Sequence, residues 1–135
     1  MTIFAEGQFD VKNAPQKPAD PEASADIGRF ALAKQYHGDL DATAKGEMLG
    51  SGNPATGNAG YVAIEHVSGT LHGRRGSFAL QHFGVMENGD FELNVRIVPD
   101  SGTGQLQGIA GSMSFSNSEG THSYRMNYTV PEDPR

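Results

Sequence analysis

The sequence predicts an all-β domain, and three observations carry that reading. Apolar and polar residues alternate with a period of two along most of the chain, turn-forming residues separate the alternating runs, and glycines recur inside them. No window sustains the 3.6-residue stripe of an amphipathic helix. The first strand, 2–12, puts Ile3, Ala5, Phe9 and Val11 on one face and Glu6, Gln8, Asp10 and Lys12 on the other. Residues 13–27 break the alternation and hold three of the seven prolines, so they read as a long loop. A connection of that length is either functional or merely solvated, and its functional role would be a lid over one mouth of the fold.

The next strands follow at 28–40, with Phe30, Leu32, Tyr36 and Leu40 on one face, then at 41–51 and 59–71 around the turn "GSGNPATGNAG". The turn "HGRRG" leads to 76–87, where Phe78, Leu80, His82, Gly84 and Met86 share a side. Asn88-Gly89 is the strongest short hairpin signal in the chain, because both central residues of a type I′ turn need positive φ. It joins 76–87 to 90–98, which carries Phe91, Leu93, Val95 and Ile97. The last two strands are 104–116 and 121–130, joined by "SNSEGT", the final one carrying Tyr124, Met126, Tyr128 and Val130.

Eight antiparallel strands in up-and-down order either stack as a sandwich or close into a barrel, and closure removes exposed edges. Glycines inside the strand patterns, at Gly7, Gly38, Gly46, Gly69, Gly84, Gly108 and Gly111, favour the barrel. Each weakens its strand by roughly 0.5–1 kcal/mol relative to alanine, so their number implies a geometric need for sharp coiling. In "VPDSGTGQLQGIAG", Gly102 and Gly104 are expected to shape a tight turn, and Gly108 and Gly111 to let the following strand coil. The expected architecture is a single closed eight-stranded barrel over residues 1–135.

Composition narrows the function classes. The chain has no cysteine, which excludes disulfides, thiolate metal sites and thiol nucleophiles. The formal charge of −6 and ten scattered basic residues argue against a nucleic-acid partner. No apolar run approaches the roughly 20 residues of a membrane span, and the start has no signal-peptide pattern, so a cytoplasmic protein without a membrane partner is expected. His37, His66, His72, His82 and His122 show no metal-site spacing, and there is no nucleophile elbow or phosphate loop. The Gly-x-Gly pair in "SGTGQ" has no helix after it. No metal or cofactor is expected.

Polar residues on apolar faces are more informative. His82 follows Phe78 and Leu80, Glu65 follows Tyr61 and Ala63, and Lys34 lies between Leu32 and Tyr36. If these faces point inward each group needs a partner, because an unpaired buried charge costs several kcal/mol. Glu65 opposite Arg96, or near His82, is the expected pairing. The candidate site is a barrel interior lined by Tyr36, Tyr61, Phe78, His82, Tyr124, Met126 and Tyr128, with Glu65 and His82 as its polar end.

The hairpin "GTLHGRRGSFALQHFG", the opening "GQFDVK" and the turn "VPDSGTGQLQGIAG" together resemble a family of small bacterial proteins catalogued only as a domain of unknown function. The resemblance spans nearly the whole chain. The turn by itself is also similar to one in allene oxide cyclases and dirigent proteins, which implies an allene oxide cyclase-like barrel and brings no established activity. Three functions follow as expectations: a module binding a small, largely apolar molecule inside the barrel; an isomerase or cyclase using Glu65, by analogy with allene oxide cyclase; or a structural homo-oligomer with a filled barrel and an outer apolar patch including Phe4, Phe83 and Val85.

Overall fold

Nine strands form in the computed structural model, which describes residues 1–18, 20, 22 and 26–131. They are β1 (Ile3–Gln16), β2 (Gly28–Gly38), β3 (Leu40–Asn53), β4 (Asn58–Leu71), β5 (Arg74–Glu87), β6 (Asp90–Ile97), the two-residue β7 (Thr103–Gly104), β8 (Ala110–Ser118) and β9 (Thr121–Thr129). All pairings are antiparallel. The order β1-β2-β3-β4-β5-β6-β8-β9 returns to β1 through the β1–β9 ladder, so eight strands close a barrel and β7 adds a short extra rung on β5. Among the described residues the one helical element is the 3-10 turn Pro54–Thr56, and no helix there is long and apolar enough to cross a membrane.

The alternation places the core directly. Ala5, Phe9, Tyr36, Ala42, Ala44, Val67, Phe78, Leu80, Val95, Ile97, Met113, Tyr124 and Met126 all point inward and are buried. Large side chains of this kind contribute roughly 1.5–3 kcal/mol each when fully buried. Backbones approach closely where Cβ is missing. At Gly46, a Cβ would lie 2.0 Å from the Ile64 carbonyl oxygen and 2.6 Å from Glu65 Cα, so β3 and β4 reach their observed spacing only with glycine there.

The two ends of the barrel differ. At one, β6 stops at Ile97 and residues 98–109 run along the first half of β5: Val98 N–H donates to the Ala79 carbonyl at 2.9 Å, and Gln105 N–H donates to the Arg75 carbonyl at 2.9 Å. This segment buries Leu106 and Ile109 in the core and closes that end. The expected strand 104–116 is therefore corrected: residues 105–108 form turns, and the strand begins at Ala110. Gly108 sits in those turns at φ +82°, against the Pro131 ring, rather than inside a coiling strand. At the other end, the mouth, lie the 53–58, 87–90 and 118–121 turns and the β1–β2 connection. That connection is shorter than expected, because β1 continues to Gln16 and pairs it with Arg29 despite Pro15. Residues 19, 21 and 23–25 of the loop assigned a lid role lie outside the described residues.

Gly46→Ala is expected to destabilise the fold by about 1–3 kcal/mol, the cost of overpacking against backbone. Gly50→Ala, on the same inward face but with its nearest neighbour 3.5 Å from the added carbon, should be neutral or stabilise by about 0.4–1 kcal/mol. Urea denaturation midpoints of the two variants check the contrast.

Candidate functional site

Inside the barrel, four polar side chains form one cluster. Glu65, on β4, is fully buried, and its carboxylate receives three donors. Lys34 Nζ lies 2.8 Å from Oε2, His82 Nε2 lies 2.6 Å from the same oxygen, and the Tyr36 hydroxyl donates to Oε1 at 2.5 Å. Local sequence explains how strands two apart can meet. In the register of β3 and β4 Gly46 stands opposite Glu65, and in that of β2 and β3 Ala44 stands opposite Lys34. With so little side chain on β3, Glu65 reaches across it to Lys34 and Tyr36 of β2. His82 comes from β5, the neighbour on the other side.

Aromatic rings complete the surroundings. The Lys34 ammonium lies 4.2 Å from the Phe115 ring centroid and 4.9 Å from that of Phe9, an arrangement that supports a desolvated cation through the π face. Burial raises the Glu65 carboxyl pKa, but the His82 hydrogen bond and the Lys34 charge, joined by the charge of His82 and the Lys34 hydrogen bond, outweigh it and leave it below its ordinary value of 4.5. Burial, with the adjacent Glu65 charge, pushes the Tyr36 hydroxyl far above its usual range. Glu65 and Lys34 therefore form a charge-neutral ion pair, and no side-chain nitrogen or oxygen cut off from solvent lacks a partner among the described residues.

Above the cluster the barrel opens into a cavity of about 1020 Å³. Its walls include Phe30, Met48, Tyr61, Met86 and Phe91, together with backbone at Gly50 and Gly84, and Asp26 and Ile27 of the β1–β2 connection stand at its rim. Tyr61 separates cavity from cluster. Its ring runs nearly parallel to Phe91, at 10° and 6.4 Å between centroids, and lies 6.5 Å from the His82 ring. Gly84 makes room for it, since a Cβ there would sit 2.4 Å from the Tyr61 ring.

Of the residues singled out from sequence, Glu65, His82 and Tyr36 meet in the cluster, and Tyr61 lines the cavity. Phe78, Tyr124, Met126 and Tyr128 are buried in the packed core and do not line the cavity. Tyr124 and Tyr128 have structural partners: the Tyr124 hydroxyl accepts from Leu40 N–H and donates to the His37 carbonyl, both at 2.9 Å, and the Tyr128 hydroxyl lies 2.5 Å from His72 Nδ1. Arg96 is corrected. It is exposed on the outer face opposite Gln81, because its neighbours Val95 and Ile97 take the inward positions; Lys34 is the cation that pairs with Glu65. Phe30, Met48, Met86 and Phe91 were not singled out. The signal was available in that they lie at the mouth ends of their strands, where chain closure is supplied by loops.

The pH dependence of stability follows from Glu65. Its folded pKa lies below 4.5, so its contribution is present above about pH 4.5 and is lost as pH falls through the folded value. Glu65→Gln should cost roughly 3–5 kcal/mol at neutral pH by leaving Lys34 uncompensated. It should also flatten the decline in stability between about pH 5 and 3. Urea titrations of both proteins across that range check the sign.

Comparison with known proteins agrees with this architecture. A crystal structure of a protein of unknown function from the DUF3224 family of Shewanella oneidensis MR-1, at 1.84 Å resolution, superposes with a TM-score of 0.90 at 41% sequence identity, covering 98% of this chain and 100% of that one. No curated protein matches the sequence. The family model described as "Protein of unknown function (DUF3224)" matches residues 5–128. Nearly the whole barrel lies within that match, and the chain belongs to the DUF3224 family.

Proposed function

We propose that the protein binds a small, largely apolar molecule in the mouth of its barrel. The observation that carries this reading is the cavity of about 1020 Å³, walled by aromatic rings and methionines, above an interior that is otherwise packed. Its size suits one small ligand, and methionine side chains adapt to irregular apolar shapes. The isomerase or cyclase reading is less well supported, because it asks Glu65 for a free oxygen and both are engaged by donors. The neutral fluorophore N-phenyl-1-naphthylamine is expected to bind the wild type, and saturating ligand to raise the melting temperature by on the order of 10 °C. Gly50→Leu, which fills the cavity from a position that tolerates a Cβ, should abolish the fluorescence gain without lowering the melting temperature of the free protein. Unchanged binding in Gly50→Leu would exclude this cavity.

A second reading, self-association, is favoured by the outer face of β3, β4 and β5. Leu49, Val62 and Phe83 align across the three strands with Ile64 beside them, each 44–55% exposed. Phe4 is also exposed, whereas Val85 is half-buried. An apolar sheet face of this kind marks an interaction surface. Light scattering is expected to give a dimer or larger species that Phe83→Lys converts to monomer; a monomeric wild type would leave the ligand reading alone.

A further inference from the structure

The outer face of β3 to β6 carries two cross-strand rows. In one, Leu49, Val62, Phe83 and Asn94 stand side by side on successive strands; in the next, Glu47, Ile64, Gln81 and Arg96 do. All eight are exposed. The first row is apolar over β3, β4 and β5, and the second has an anion at one end and a cation at the other. Arg96 makes no ion pair or side-chain hydrogen bond among the described residues. Glu47 holds Arg29 through Oε1 at 2.8 Å, and among the described residues nothing donates to its Oε2. The relief of the face is uneven too. A groove of about 1000 Å³ runs over Leu49, Val62 and Ile64 and is walled by Ile27 and Arg29, whereas Phe83, one strand beyond Val62, lies outside it and is 54% exposed.

A two-fold axis in the contact plane, parallel to β4 and β5 and midway between them, reverses the order of the strands and keeps each row level. It sets Phe83 of either copy over Val62 of the other, in the groove, and Glu47 over Arg96. An axis perpendicular to the strands would set Glu47 over Glu47 and Arg96 over Arg96, or Glu47 over Leu49, which opposes like charges or covers a charge with an apolar side chain. We infer that the partner of this face is a second copy of the chain, docked about the parallel axis as a closed dimer in which Phe83 of each copy fills the groove of the other and Glu47 pairs with the other's Arg96. This rests on the self-association reading and adds its geometry and stoichiometry. The same patch serves both copies, so the contact closes at two. The barrel wall is convex, so contact is closest at Val62 and Phe83, and the long side chains of Glu47 and Arg96 span the widening gap as a charged rim around an apolar centre.

The test is sedimentation equilibrium of the full chain at low ionic strength, where rim charges are least screened. The wild type should be a dimer. Glu47→Arg and Arg96→Glu each place like charges at both rim contacts, and each should raise the dissociation constant about tenfold. Mixed in equal amounts, the two variants should form a heterodimer of wild-type affinity, because every rim contact between them again joins opposite charges. Both positions face solvent, so neither change touches the core, and recovery on mixing shows that both variants are folded. A dimeric wild type whose charge-reversed variants associate unchanged, or fail to recover on mixing, overturns this arrangement and leaves the self-association reading intact. A wild-type species larger than a dimer does the same. A monomeric wild type overturns that reading, and this inference with it.

Discussion

A carboxylate with no access to water is tolerated only where donors surround it, and in this barrel that requirement ties four strands to one register. Glu65 of β4 takes its donors from Lys34 and Tyr36 of β2 and His82 of β5, and does so over the bare backbone of Gly46 on β3. A slip of one residue in any of these ladders would turn the carboxylate or its partners to the outside and bring the opposite face in. Breaking such a cluster on one side costs about 3–5 kcal/mol, whereas forming it adds little net stability over an apolar replacement. Its structural effect is thus one of selection: alternative registers leave a buried charge, and the native one does not.

The same glycine serves closure and chemistry. At Gly46 the missing Cβ lets β3 and β4 come together closely enough to curve the sheet, and it leaves the space through which Glu65 reaches β2. Gly84 repeats this logic two strands further on, giving the Tyr61 ring a flat backbone to lie against. Positions that look like losses of core volume are therefore where side chains from neighbouring strands meet.

The barrel is asymmetric because its two ends are finished by different kinds of chain. At one end the 98–109 segment hydrogen-bonds along β5 and turns Leu106 and Ile109 inward, so apolar side chains occupy the opening. At the other, the hairpin turns at 53–58, 87–90 and 118–121 bury no apolar side chain among the described residues. The aromatic and methionine residues of the outermost inward positions then line a cavity, with Tyr61 and Phe91 stacked on each other in its wall. Below that level the inward side chains, Ala63, Glu65 and His82 among them, are buried.

Much of this was legible without coordinates. Period-two alternation determined the all-β class and which face of each strand turns inward, because side chains on a pleated strand must alternate; it placed Glu65, His82 and Lys34 among apolar neighbours, and Val95 and Ile97 inward, which by itself turns Arg96 out. The Asn88-Gly89 turn and the in-strand glycines pointed to hairpins closing on themselves. Only the tertiary structure decided which polar groups meet, since Lys34 and Glu65 lie on strands that are not neighbours and their contact depends on the small residues between them. It also decided that the glycine-rich segment closes one end as turns instead of a strand, and that the tyrosines mostly fill the core. Periodicity reports the direction of a side chain relative to its own strand; the distance to side chains across the barrel is set by closure, which no local stretch of sequence contains.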